Sequence, residues 1–298
     1  MNTCATLLLA LVPIAALAGC VASSVKGERA AAPRADRDDY RLEVGNARSL
    51  AGCRYDYRVY QPTRLDAEGD PGVNAGVDRE ANDSTDAPVT VMLGHGFLRD
   101  QDRLVGHARA LANAGFRVVT LDFCNMRPWN GHHVRNAADL RALATRVTGA
   151  GSGVVYAGFS AGALAALIAG GDDPATLGVV TLDLVDQDDL ARDALATLTA
   201  PLIGLEGPPS GCNANGSGRR VFDTRSDAIL ETLDGASHCE FESPTNRLCE
   251  IACGDEDTDR ENERLRQDIV RRVVAAVRHL GGATTIGAAS DARNPARE

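Results

Sequence analysis

Aromatic side chains are scarce in this 298-residue chain, at 4% of residues with a single tryptophan. Positive charge is also in the minority: 31 Lys and Arg stand against 41 Asp and Glu, for a net charge of −10. No basic cluster is dense enough to follow a phosphate backbone, which argues against a nucleic-acid partner. The 30 glycines show no three-residue period, so a collagen-like chain is excluded. No unit recurs at a spacing of about 20–50 residues, which argues against solenoids and propellers. Nor does any apolar run reach the about 20 residues that a membrane-crossing helix needs. Cys249-x-x-x-Cys253 has no Cys-x-x-Cys or His-x-x-x-His companion, so no metal site and no cofactor is expected.

What is present begins with an apolar stretch, Leu7 to Ala18, interrupted only by Pro13. It reads as the core of a secretory signal over residues 1–19. The segment ends Leu17-Ala18-Gly19-Cys20, and small residues before a cysteine resemble a bacterial lipobox. The expectation is export, with Cys20 lipidated and the chain tethered to a membrane in the cell envelope; plain cleavage near Ala18 is the alternative. Residues 20–50, rich in Ala, Arg and Asp, then read as a tether. Setting aside Cys4 and Cys20 leaves Cys53, Cys124, Cys212, Cys239, Cys249 and Cys253. An even set in an exported chain predicts disulfides. The pairing expected is Cys53 with Cys124, and Cys239 with Cys249 or Cys253.

A domain is expected over residues 51–281. Tyr55–Tyr60 alternates like an early strand, and residues 64–88 read as a long acidic surface loop. Short Val-rich runs then alternate with helical patterns. Strands are expected at 89–93, 116–121, 153–157, 178–182, 201–205 and 229–233, and helices at 103–114, 136–147, 161–169 and 261–280. A tail at 282–298 is expected to fray. Alternating strands and helices imply an α/β fold, with a mainly parallel central sheet covered by helices on both faces. Such sheets place functional residues just beyond the carboxyl ends of their strands.

One strand end carries a specific motif. Val154–Ala157 runs into Gly158-Phe159-Ser160-Ala161-Gly162 and then an Ala/Leu helix. Gly-x-Ser-x-Gly between strand and helix is a nucleophile elbow: the turn is so tight that side chains two residues either side of the serine would clash. A serine nucleophile needs a base, and His238 lies five residues beyond the last strand. His107 and His279 fall in helices, His132 and His133 read as a solvated pocket rim, and His95 reads as a loop-orienting residue. The histidine in turn needs a carboxylate, and three compete. Glu206 ends one strand; Asp183 and Asp186 follow another.

From about residue 53 to 280 the chain resembles the α/β-hydrolase superfamily. Within it the chain resembles the chlorophyllase-like esterases and the bacterial polyester-hydrolase, or cutinase-like, enzymes. The residues that carry this are His95-Gly96-Phe97, the elbow at Ser160, Gly204-Leu205-Glu206-Gly207 with the Cys- and Asn-containing loop to Phe222, and His238 with Glu240 and Phe241. The resemblance implies a serine esterase acting through an acyl-enzyme. It implies backbone N–H groups of Phe97 and Ala161 as an oxyanion hole. It favours Asp183 as the acid, since chlorophyllase-like enzymes carry theirs in an Ile-Asp-Pro-Val-type segment at this place. In the polyester hydrolases the acid's position would fall in Pro208-Pro209-Ser210. Two residues depart from pattern: Leu184 replaces that proline, and Phe159 fills an elbow position that varies by subfamily. The substrate expected is a small or polymeric carboxylic ester. A non-catalytic envelope lipoprotein that retains the fold and an acyltransferase with the same triad are the competing readings.

Overall fold

The structure is a computed structural model, and it describes residues 38–50, 52–63, 88–124, 131–149, 152–253 and 259–291. The expected signal segment, Cys20, most of the loop at 64–88 and the extreme C-terminus lie outside the described residues. Among the described residues, eight strands form one sheet in the order β1-β2-β4-β3-β5-β6-β7-β8. They are β1 (Tyr40–Arg48), β2 (Arg54–Pro62), β3 (Thr90–Gly94), β4 (Arg117–Leu121), β5 (Val154–Phe159), β6 (Thr176–Leu182), β7 (Leu202–Glu206) and β8 (Ile229–Thr232). The β1–β2 and β2–β4 pairs are antiparallel, and every later pair is parallel.

The alternation of side chains along each strand feeds two cores. Met92, Val154, Tyr156 and Val179 point to one face, where they meet α2 (His133–Thr148), α3 (Ala161–Asp172) and α4 (Leu190–Thr197). Val91, Leu93, Val155, Ala157 and Val180 point to the other, against α1 (Val105–Asn113) and α7 (Asp259–Asp291). Both faces of the sheet are therefore dry, which is why its strands read as near-continuous apolar runs. Helix α3 is apolar all round because it is wedged between the sheet, α2 and α4. On α7, Ile269, Val273 and Val277 are fully buried at spacings of four residues.

The architecture is the expected one, with two corrections to its limits. The expected tether over 20–50 does not extend that far: Tyr40–Arg48 is strand β1, paired with β2 in nine-residue register. It is an edge strand with Leu42 and Val44 exposed, so it lacks the buried periodicity that marks a strand in sequence. At the other end the last helix runs to Asp291, past the boundary at 282 where a frayed tail was expected. Short helices α4, α5 (Arg219–Asp223) and α6 (Arg247–Cys253) were not anticipated.

The connection leaving β3 crosses to β4 on one side, while that leaving β5 crosses to β6 on the other. Between these diverging connections opens the crevice where open α/β sheets bind ligands. The loops at its edges begin at His95 and Ser160.

Candidate active site

Ser160 sits between the last residue of β5 and the first of α3. Its backbone has φ 56 and ψ −120, a conformation that a non-glycine residue holds only at a cost on the order of 1–3 kcal/mol. The flanking glycines make the turn possible. A Cβ on Gly158 would stand 2.3 Å from the Gly162 carbonyl oxygen, and one on Gly162 would stand 2.3 Å from that of His95. Backbone lies on both sides, so no side-chain movement could relieve either clash.

The Ser160 Oγ lies 3.0 Å from Nε2 of His238. On the opposite side of the ring, Nδ1 lies 2.5 Å from Oδ2 of Asp183. A carboxylate at Nδ1 places the proton there, which leaves the Nε2 lone pair to accept from the serine hydroxyl. Asp183 follows β6 with φ 43, and its N–H donates to the Leu205 carbonyl. Its second oxygen accepts from the Gly207 N–H at 3.0 Å and from the Asn213 side-chain amide at 3.3 Å. His238 itself begins a 3₁₀ turn, His238–Phe241, capped by Ser237, whose N–H donates to Glu240. The Phe159 ring packs against the His238 ring with centroids 4.6 Å apart.

The structure thus brings Ser160, His238 and Asp183 together, and it places the other two carboxylates elsewhere. Glu206 pairs with Arg219 and accepts from Thr232. Burial pushes its carboxyl above the usual range, with the Arg219 guanidinium pulling the other way. Asp186 accepts from the Ala191 N–H within the first turn of α4.

The N–H groups of Phe97 and Ala161 have no hydrogen-bond acceptor among the described residues. That of Ala161 is one of the orphan donors at the start of α3. His95 holds the loop that carries Phe97. Its Nε2 accepts from the Phe123 N–H at 2.9 Å, and its Nδ1–H donates to the Gly96 carbonyl at 2.8 Å. Burial pushes the His95 pKa down, which favours the neutral ring that this donor–acceptor pair requires. His133, expected at a solvated rim, is buried and bonded to Gln187 at 2.8 Å. Its position at the start of α2, packed on the segment after β6, takes it out of solvent.

Among the described residues, three disulfides join Cys53 to Cys124, Cys212 to Cys253 and Cys239 to Cys249, a set consistent with an exported protein. The sulfurs of Cys239, Cys249 and Cys253 lie within 4.8 Å of one another because two bridges meet on α6. Among the described residues no helix is long and apolar enough to cross a membrane.

Several contacts around the site carried no mark in the sequence. Asn213 lies 30 residues from the carboxylate it supports, and Arg99 lies 143 residues from its partner Glu242. Neither spacing is a local one, so no motif could have exposed them.

No protein-family model and no curated protein sequence matches the chain. Solved structures do. A ferulic acid esterase from Streptomyces cinnamoneus superposes with a TM-score of 0.58 at 16% identity, over 84% of this chain and 92% of that one. An α/β serine hydrolase homologue from Coxiella burnetii gives 0.53 at 14% identity, over 77% and 96%. A brefeldin A esterase, described as a bacterial homologue of human hormone-sensitive lipase, gives 0.52 at 17%, over 84% and 78%. The chain has the α/β-hydrolase fold.

Proposed function

We propose that this protein is a serine esterase that hydrolyses carboxylic esters through an acyl-enzyme. The observation that carries this reading is the continuous chain of hydrogen-bonding contacts from Ser160 through His238 to Asp183 at the carboxyl ends of β5 and β6. The esterases among the similar folds are in keeping with the ester as the substrate class.

Ser160 Oγ attacks the ester carbonyl carbon and its proton passes to Nε2 of His238. Asp183 stays ionised and stabilises the imidazolium through Nδ1–H. The carbonyl oxygen becomes an oxyanion that accepts from the Phe97 and Ala161 N–H groups, each worth about 3 kcal/mol to the transition state. Collapse of the tetrahedral intermediate breaks the C–O bond, and the departing alkoxide takes the proton from Nε2. Water then enters, gives a proton to His238 and attacks the acyl carbon. The second collapse returns that proton to Ser160 and releases the carboxylic acid. The steps use no metal or organic cofactor.

The direct test is a fluorophosphonate probe with peptide mapping, together with a panel of p-nitrophenyl esters of increasing chain length. Labelling at Ser160 and turnover of at least one ester are expected. A folded protein that neither labels nor turns over any ester is a binder, and the reading falls. Export with a lipid on Cys20 belongs to the same proposal. Mass spectrometry of the mature N-terminal peptide checks it: an unmodified terminus near Ala18 would make the protein a free secreted one.

A further inference from the structure

Resting on the serine-esterase reading, we infer that Arg99 and Glu242 are positioning residues that hold the Phe97 oxyanion donor in register with His238. Arg99 closes the turn that carries Phe97: its N–H donates to the Gly96 carbonyl at 3.2 Å, and Leu98 between them has φ 55. Its guanidinium meets Glu242 in a two-pronged contact, Nε to Oε1 and Nη2 to Oε2, both at 2.5 Å. Nη2 also donates to Asn246 at 2.9 Å, and Glu242 accepts from Thr245 at 3.1 Å. The Glu242 side chain is 0% exposed and that of Arg99 10%.

A buried ion pair is a poor source of stability, because apolar replacements of both partners are often neutral or better. What a fork on a carboxylate supplies is direction and distance. Here it joins residue 99, two beyond Phe97, to residue 242, four beyond His238. The rest of the base loop has its own fastenings. Ser243 N–H donates to Arg103, Gly106 N–H donates to Ser243, and His107 Nε2 donates to Phe241. The turn carrying Phe97 is held by His95 at its start and by Arg99 at its end. Removing the fork therefore leaves the base loop docked and releases one end of the oxyanion turn. A donor displaced by a fraction of an ångström stabilises the transition state less while leaving ground-state ester binding nearly untouched.

The test is the double variant Arg99→Met with Glu242→Gln, which leaves no orphan charge, compared with wild type on a short p-nitrophenyl ester. We expect kcat to fall at least tenfold, KM to stay within about threefold, and thermal unfolding to remain cooperative. Arg99→Lys, which keeps the charge but not the fork, should fall between the two. Arg141→Met, which breaks the exposed pair with Asp172, serves as the control and should leave kcat unchanged. A folded double variant with wild-type kcat, or one whose loss lies wholly in KM, overturns the inference. Should the double variant not fold, Arg99→Lys decides: undiminished kcat overturns it and a selective kcat loss supports it. Wild-type protein that neither labels with fluorophosphonate nor turns over any ester overturns the esterase reading, and this inference with it.

Discussion

Asp183 divides its carboxylate between two tasks: Oδ2 lies 2.5 Å from Nδ1 of His238, and Oδ1 accepts from Gly207 and Asn213. The oxygen that faces the histidine is thereby fixed by bonds to the other one. Asp183→Asn keeps the volume but presents an amide that can favour the wrong ring tautomer, so kcat should drop by about 10⁴-fold if the serine-protease precedent transfers. Glu206→Gln should change kcat by less than about threefold, since Glu206 faces Arg219 and Thr232. Steady-state kinetics on one ester compare the two. A reversed ranking would move the acid from the end of β6 to the end of β7.

Ser160→Ala removes one oxygen at a site that is 7% exposed and leaves the strained turn in place. Ester hydrolysis should disappear, while the melting temperature should stay the same or rise slightly. His238→Ala should be as inactive, because the serine hydroxyl is a weak nucleophile without a base. Residual turnover well above background in purified Ser160→Ala protein would assign the attack to another group.

The elbow glycines make a prediction about folding. Gly162→Ala would drive a Cβ to 2.3 Å and 2.4 Å from the carbonyl oxygens of His95 and Gly94, so β3, its loop and α3 would have to part. Stability should fall by more than about 3 kcal/mol, at the destabilising end for single substitutions. Gly211→Ala, where nothing lies within 4 Å, is the matched control. Equal chemical-denaturation midpoints for these two variants would contradict the geometry.

The parts of the fold that were legible share one physical property. β3, β5 and β6 are buried on both faces, so each is a short apolar run between turn residues, and Gly158 and Gly162 mark the backbone contact at the elbow. Strand β1 was not legible because Leu42 and Val44 stand exposed among charges, and its partner, β2, supplies the hydrogen bonds. Helix α6 was hidden in a cysteine-rich segment where two bridges meet on one short turn. In the site, Ser160 and His238 could be placed by their distance from strand ends. The choice among three carboxylates could not be made from residues alone, because it depends on which strand end faces His238. Arg99 and Glu242 lie on different loops and acquire their relation only on folding.

Two disulfides should behave differently on removal. Cys239 follows His238 directly and is tied to Cys249 across a ten-residue separation, whereas Cys53–Cys124 fastens the start of β2 to the segment after β4. Replacing either pair with serine should cost about 2–4 kcal/mol. Only the Cys239/Cys249 replacement should also lower kcat, because it loosens the backbone next to His238, the proposed base. If both pairs prove to be free thiols in protein recovered from an oxidising compartment, the premise fails.

Acid should unfold this protein partly through His107. The ring is fully buried in α1, its Nε2 donates to the Phe241 carbonyl at 3.0 Å, and its Nδ1 has no partner among the described residues. Burial pushes its pKa from the ordinary 6.5 down to about 4. The sign follows from where the proton binds. Between these two values the unfolded chain takes up a proton that the folded chain refuses, so stability is intact above pH 6.5 and drains away as pH falls toward 4. At about 1.4 kcal/mol per pH unit, the loss attributable to this one ring approaches 3 kcal/mol. His95, shifted in the same direction, adds to it. Urea unfolding at pH 7 and at pH 4.5 should show the difference in wild type. His107→Gln keeps a donor for Phe241 but cannot titrate, so its stability should change less between the two conditions. An identical pH dependence in the variant would mean that the acid sensitivity resides elsewhere.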